Sequence, residues 1–432
     1  MDSEQIINQE ASNFVALIKE LKIFDSSSTS DGKFEGKFVK IDGKLKIDLT
    51  RLDYLALGQD KEIKQIMIKN IEGCDLSCPA SQMVMKSSET VRLENSLADL
   101  HGMSDTVLFT SGYAANDNII QALGLRLNTH YIKHYMSQYG ITNGEGSIPT
   151  IFFVDGESHY SLVHGAKIAQ YFSKGINEVR KFKSADYDDL TKKIEESKEK
   201  FGDNAVRVIV TDALSSISGR IFDINSLYKI ANKYGCLMYV DEAHSCGCIG
   251  SHGRGVAANT EEFEANKDRT IIMGTLTKAF SQLGGYVVMP NKELSDYLKM
   301  CSPQYIFSAP IPPWMAETLI QTVDLITGKW GDRRRELLYN SSKYLRDELV
   351  KNGFDIMGSN SQIIPVSIKD DKIANKVYNY IRENGFISSL FRYPAIPKGS
   401  AMLRFSICAD ITKEEIDDLV KYLKLAREKY KF

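Results

Sequence analysis

Residues 271–289 read IIMGTLTKAFSQLGGYVVM, and this stretch organises the reading of the whole chain. The apolar run Ile271-Ile272-Met273 leads into Gly274-Thr275-Leu276-Thr277-Lys278. After small residues come Gly284-Gly285 and a second apolar run, Tyr286 to Met289. Short β-rich runs bounded by glycine read as strand, loop, strand. One lysine lies in the loop, beside two threonines. A lysine beside a buried loop is a candidate desolvated amine, nucleophilic because burial disfavours its charged form. Taken alone, the blander reading of a surface lysine at a strand end is the stronger one. Its meaning depends on what other strand ends bring to it.

The 432 residues are 43% hydrophobic and 25% charged, an ordinary globular composition long enough for two or three structural units. The net charge of -2 gives no global field for nucleic acid or an acidic membrane surface. No apolar run approaches the ~18 residues of a transmembrane helix, and the start, MDSEQIINQEASNF, lacks the basic and apolar regions of a secretory signal. The seven cysteines are scattered and odd in number. Cys246 and Cys248 are too close for a zinc half-site, with no matching pair elsewhere, so no metal is expected. These features predict a reducing, cytoplasmic location.

Working outward from the lysine, strands alternate with helices. Ile151 to Val154, Val206 to Val210 and Leu237 to Val240 read as strands. A charged helix (Asp188 to Lys200) and an amphipathic one (Ile224 to Tyr234) precede the last two. A helix around Val91 to Leu100 leads into a strand, Thr106 to Phe109, and a helix, Asn116 to Leu123, follows it. The pattern predicts an α/β fold with a mainly parallel sheet sandwiched by helices, as a large domain over 51–300. Ahead of it, an N-terminal segment over 1–50 reads as a helix, a loop (Ser26 to Lys33) and a hairpin (Phe38 to Leu49) turning at Gly43. From about 300 a long helix (Ala316 to Ile326, continuing from Arg333 to Asn352) opens a smaller C-terminal α+β domain over 301–432. Residues 126–150 read as a surface insertion, with a loop from Gly140 to Pro149. His130 and His134 would share a helix face there, but no Glu follows His130 to make a metalloprotease motif.

An open α/β sheet presents the C-terminal ends of its strands to a ligand crevice. Four loops at such ends carry polar residues: Asp241-Glu242-Ala243-His244, Thr211-Asp212-Ala213-Leu214-Ser215-Ser216, Asp155-Gly156-Glu157-Ser158-His159 and Thr110-Ser111-Gly112-Tyr113. The last opens a helix, whose free N–H groups and dipole make an anion site. With Lys278 the crevice holds an amine, a carboxylate, an anion cradle, histidines and a hydroxyl. Pyridoxal 5'-phosphate needs that set: a lysine for its aldehyde, a carboxylate for its pyridine nitrogen and an anion site for its phosphate.

The segments TSGYAAN, VDGESHYSL, VDEAHSCGCIGSHGRG and GTLTKAF resemble those of the α-oxoamine synthases, a family of fold-type I pyridoxal-phosphate enzymes. Ile306-Phe307-Ser308-Ala309-Pro310 and Leu403-Arg404-Phe405-Ser406 extend the likeness, which runs over roughly residues 50 to 425. The resemblance implies Lys278 as the Schiff-base lysine and base, Asp241 at the pyridine nitrogen and His159 stacked on the ring. It puts Ser216 and His244 at the phenolic oxygen. Ser111, Gly112 and Tyr113 hold the phosphate with Thr275, and Thr277 is a second candidate. Ser308 reaches the partner subunit's phosphate, which implies a homodimer with interfacial sites. Arg404 receives the amino-acid carboxylate, its guanidinium fork suiting that group. The implied reaction condenses an amino acid with an acyl thioester, most often acyl-coenzyme A, with loss of carbon dioxide, to an α-aminoketone.

The chain departs from the family pattern at Leu52, where Asn is usual, at Ala80-Ser81-Gln82 and Lys86-Ser87-Ser88, at Arg92 in place of His, at Ser218-Gly219, and in the 126–150 insertion. These departures turn the reading away from glycine acetyltransferase, 8-amino-7-oxononanoate synthase and aminolevulinate synthase. DYLAL (Asp53 to Leu57), SQII (Ser361 to Ile364) and SSLFRYPA (Ser388 to Ala395) are similar to segments of the family's quorum-sensing autoinducer synthases. Two rival readings use the same residues: a class I/II aminotransferase, and a catalytically silent partner subunit.

Overall fold

The structure is a computed structural model that describes residues 3–20, 30, 35–126, 130–140 and 148–432. The loops read at 26–33 and 140–149 lie outside the described residues, apart from Ser30, Gly140, Ile148 and Pro149. Contacts divide the chain into two compact units. One comprises residues 51–365 and 406–416; the other comprises 1–50, 366–405 and 417–432. Residues 301–365 thus group with the large unit, and the first 50 with C-terminal segments. No helix among the described residues is long and apolar enough to cross a membrane.

The large unit is built on seven strands, β1 (Asp105–Phe109), β2 (Thr150–Asp155), β3 (Glu178–Phe182), β4 (Val206–Asp212), β5 (Leu237–Asp241), β6 (Thr270–Thr275) and β7 (Gly285–Met289). Their order in the sheet is β1-β7-β6-β5-β4-β2-β3. The run from β6 to β3 is parallel, and β7 is antiparallel to both its neighbours. The interior parallel strands β2, β4, β5 and β6 are mostly apolar and buried on both faces, as helix-covered sheets require. β3 was not legible in the sequence: EVRKF carries three charged residues and sits at the sheet edge, where only Phe182 is buried. The long C-terminal helix is broken at Gly328 into Pro313–Thr327 and Lys329–Lys351.

Register brings the chemistry to one level. Asp212 lies opposite Asp241, and Asp241 opposite Met273, two residues before the end of β6. Because β7 runs backwards, its first residue, Gly285, faces both Thr275 and Phe109. The C-terminal ends of β1, β4, β5 and β6 therefore open on the same edge.

The helix after β1, Gly112–Leu125, packs on the helix after β2, Tyr160–Phe172. Their seam is made of small residues: a Cβ on Gly124 would come within 2.5 Å of the Ala169 Cβ, and one on Gly165 within 3.1 Å of the Asp117 carbonyl oxygen.

The smaller unit contains the helix Ser3–Glu20 and the expected hairpin, Phe38–Ile41 antiparallel to Lys44–Asp48. Phe386–Ile387 adds to it in parallel. Ala401–Ser406 pairs antiparallel with Ser389–Phe391 in a second small sheet, and the helix Asp371–Glu383 follows the same unit.

The seam fixes where the N-terminus of Gly112–Leu125 points. Gly124→Leu therefore forces the two helices apart, with an expected loss of ~1–3 kcal/mol in urea unfolding and a weakened grip on any anion bound at residues 111–113. Unchanged stability and unchanged anion binding contradict this account of the seam.

Candidate active site

Lys278 follows β6 on a loop closed at both ends. Gln282 N–H donates to the Leu276 carbonyl at 2.8 Å, and Leu276 N–H donates to Gly284 O at 2.9 Å. The lysine Nζ lies 2.8 Å from His244 Nε2. His244 itself is buried, and its backbone carbonyl accepts from Gln362 Nε2 at 2.6 Å. On the ring's other side, Nδ1 is 2.6 Å from the Tyr54 hydroxyl.

Asp241 ends β5 and is buried. Its Oδ1 accepts the Ala243 N–H at 2.8 Å, and its Oδ2 accepts from Asn116 Nδ2 at 2.7 Å. Asn116 is oriented in turn by the Tyr239 hydroxyl, which donates to its Oδ1 at 3.0 Å, while Nδ2 also reaches Ser161 Oγ at 2.9 Å. Ser161 Oγ lies 2.8 Å from Nδ1 of His159, the N-cap of Tyr160–Phe172. One network thus links the Asp241 carboxyl to the His159 imidazole. Burial pushes the His159 imidazole below its ordinary range, with Asp241 pulling it back up and Lys278 pushing it down. A neutral, apolar-faced ring results.

Asp212, across from Asp241, is fully buried and accepts the His159 N–H at 3.0 Å. Burial first, and the Asp241 charge second, hold its carboxyl well above the usual carboxylate range. A buried carboxyl beside a second one disfavours its own charge, so Asp212 keeps its proton.

The helix N-terminus completes the cleft. Ser111 is the N-cap: its Oγ accepts the Ala114 N–H at 3.1 Å and its carbonyl the Ala115 N–H at 3.0 Å. The Gly112 and Tyr113 N–H groups are ones a helix cannot satisfy internally. A Cβ on Gly112 would stand 3.1 Å from Thr275 Cβ, so glycine lets the strand end and the helix start meet. Thr275 Oγ1 and Thr277 Oγ1 are 2.8 Å apart. A cavity of about 240 Å³ is lined by Ser111, Gly112, Tyr113, His159, Asp241, His244, Thr275, Thr277 and Lys278, all predicted from sequence. Asn116, Ser161, Asp212, Ala243 and Met273 also line it and were not assigned. The i, i+4 spacing of Gly112 and Asn116 was the one available signal for Asn116.

Three predicted residues are not among those lining this cavity. Ser216 is half-buried and does not line the cavity, while its neighbours Ser215 and Ser218 both donate to Glu157 Oε2 at 2.6 Å. Ser308, half-buried, also lies outside the lining, its Oγ 3.5 Å from the Ala309 carbonyl. Arg404 belongs to the smaller unit, where its guanidinium stands 4.9 Å over the Phe391 ring. The departing residues have structural partners: Gln82 Nε2 donates to the Leu108 carbonyl at 2.8 Å, Lys86 pairs with buried Glu94 at 2.7 Å, and Arg92 pairs with Glu317. His164, the other histidine of that segment, pairs with Asp117 at 2.7 Å and stacks on Tyr160.

The donor set fits pyridoxal phosphate. One amine, one hydrogen-bonded carboxyl group, one flat neutral imidazole and one helix N-terminus with a glycine converge on a cavity sized for a single small ring system. Directly behind the lysine loop, Tyr286 faces Gly274 and shares its hydroxyl with His101 Nε2 and Cys246 Sγ, both at 2.9 Å.

Similar proteins agree with this geometry. The family model described as aminotransferase class I and II matches residues 150–423. The 8-amino-7-oxononanoate synthase of Thermosipho melanesiensis is 30% identical over 396 residues, 91% of this chain and 92% of that protein. The serine palmitoyltransferase of Bacteriovorax stolpii is 27% identical, over 91% of this chain and 85% of that one. Two solved structures share the fold. The serine palmitoyltransferase of Sphingomonas wittichii has a TM-score of 0.81 at 22% identity, covering 100% of this chain and 99% of that one. A serine palmitoyltransferase from S. paucimobilis with bound PLP has a TM-score of 0.81 at 24% identity, covering 97% and 98%. The chain belongs to the α-oxoamine synthase family of fold-type I pyridoxal-phosphate enzymes, with pyridoxal phosphate as cofactor and an amino acid and an acyl thioester as the partners it condenses.

The buried His101 supplies a pH test of the scaffold behind the lysine. Burial, and then the nearby Arg254 cation, push its imidazole down to about 3. The unfolded chain takes that proton near 6.5. Between those values only the unfolded state binds it, so stability falls as pH falls, by at most ~1.4 kcal/mol per pH unit. His101→Gln is expected to flatten the slope of unfolding free energy between pH 6.5 and 4 by up to one proton. An unchanged slope contradicts a neutral, buried His101.

Proposed function

Starting from that membership, we propose that the chain performs the decarboxylative form of the condensation, releasing the thiol of an acyl-coenzyme A and yielding an α-aminoketone. The observation that carries this is the meeting of Lys278, Asp241 and His159 in one buried cavity at a helix N-terminus. When bound, pyridoxal phosphate supplies an aldehyde for a lysine amine and a ring that draws electrons away from a substrate's α-carbon.

The chain's own residues do the rest. Gly112 and Tyr113 N–H groups, with Thr275 and Thr277 hydroxyls, would hold the phosphate. The Asp241 carboxylate, aimed by Ala243 N–H and Asn116, would keep a proton on the pyridine nitrogen. His159 would cover the ring face and exclude water. His244 Nε2 and Ser216 would serve the phenolic oxygen, and Ser308 the partner subunit's phosphate in a homodimer. Lys278 Nζ would anchor the cofactor and, once released, take the α-proton. Arg404 would receive the substrate carboxylate. A cytoplasmic enzyme fits the scattered free cysteines.

Identity to an oxononanoate synthase (30%) and to a palmitoyltransferase (27%) is nearly equal, so likeness alone does not choose the amino acid. The finer reading is a precursor of a signalling molecule, made from a medium-chain acyl-coenzyme A. It is supported by DYLAL, SQII and SSLFRYPA, and two of these touch the site: Tyr54 and Gln362 both hold His244.

Incubation with a panel of amino acids and acyl-coenzyme A of varied chain length is expected to release free thiol only when both are present. Lys278→Ala should slow that release at least ~10³-fold. Keto-acid formation without thiol release would make the enzyme an aminotransferase instead, and neither product would leave it a silent subunit.

A further inference from the structure

The segment Asp53-Tyr54-Leu55-Ala56-Leu57 also grips the lysine loop from two sides. Asp53 Oδ1 accepts the Leu57 N–H at 2.8 Å and the Ser281 hydroxyl at 2.6 Å, three residues beyond Lys278. Its Oδ2 accepts the Gly58 N–H at 3.0 Å. This turn holds Tyr54, which is fully buried, and the Tyr54 carbonyl accepts the Ala409 N–H at 2.8 Å. The Tyr54 hydroxyl then meets His244 Nδ1 at 2.6 Å, and His244 Nε2 meets Lys278 Nζ at 2.8 Å.

The geometry points to Tyr54 as a positioning residue that fixes which nitrogen of His244 carries the proton, and so biases Lys278 toward its neutral amine. The inference rests on Lys278 being the cofactor's anchor.

A neutral imidazole has one donor and one acceptor nitrogen. If Tyr54 O–H donates to Nδ1, the ring proton sits on Nε2 and points at the lysine nitrogen. Only a neutral amine has a lone pair to receive it. In the opposite tautomer Nε2 is an acceptor, and it rewards the ammonium. The hydroxyl thus decides which charge state of Lys278 its neighbour favours.

The other groups around the amine make this bias useful. Asp241 and Asp212 stand in the same cavity, and the Asp241 charge favours an ammonium. His159 faces it from the start of Tyr160–Phe172, and Lys278 acts on its charge. Asp53, bonded to Ser281, and the buried thiol of Cys248 are further titratable groups nearby. An ammonium cannot attack an aldehyde, so a bias toward the neutral amine favours cofactor loading. The same Nε2–H would also suit a phenolic oxygen, so one tautomer serves both before and after the cofactor is bound.

Two measurements decide it. In the full-length protein with ¹⁵N-labelled histidine, NMR reads the tautomer of His244, assigned by the signal lost in His244→Asn. The Nε2–H form is expected, and the Nδ1–H form overturns the proposal whether or not any variant folds. Second, the rate at which added pyridoxal phosphate develops visible absorbance is followed against pH. Tyr54→Phe keeps the ring and removes the hydroxyl. Its rate midpoint should move to higher pH by roughly one unit, and it should add no shift in a His244→Asn background. An unmoved midpoint in a Tyr54→Phe protein of unchanged circular dichroism and Tm, or the same shift in both backgrounds, overturns it. A wild type that never colours would overturn the anchor role of Lys278, while the NMR result still reads the tautomer.

Discussion

A primary amine and a buried carboxyl group share one cleft, and the rest of the structure answers to that constraint. Neither Lys278 nor Asp241 can be held there without hydrogen bonds that replace water. Asp241 receives them from Ala243 and Asn116, and Lys278 is met by His244. Those partners are themselves aimed by a further layer, Tyr239 on Asn116, and Tyr54 and Gln362 on His244. That outer layer aims the inner partners without touching the cavity's contents, the pattern of a pre-organised site.

Sheet register turns this constraint into a location. Parallel strands put Asp212, Asp241 and Thr275 on one edge, and the reversed β7 brings Gly285 to the same edge. A Cβ on Gly285 would come within 2.4 Å of the Ser111 carbonyl oxygen, so the helix N-terminus can close on the lysine loop only over a glycine. The glycine pair that first marked residues 271–289 as a turn is therefore also what lets the anion cradle and the lysine meet.

Most of the cleft was legible because chemistry-bearing residues follow strands in a repeated way. Lys278, Asp241, His159 and the Ser111-Gly112 turn each follow an apolar run. What was missed depends on pairing between distant segments. Asp212 looks like any polar residue at a strand end until its neighbour across the sheet is known to be Asp241. Asn116 lies inside a helix, and Tyr54 is 190 residues from the histidine it touches. The strand Glu178–Phe182 escaped because an edge strand needs only one buried face. The turn that holds Ser216 is organised by Glu157, a residue singled out only as part of a loop.

The claim on which all of this turns is that the one amine in this cleft carries the cofactor. Borohydride treatment of the cofactor-loaded protein, followed by peptide mass spectrometry, tests it directly. The account predicts one stable mass addition, on the peptide containing Lys278. Addition at a different lysine, or none in protein that shows the visible band, would contradict it.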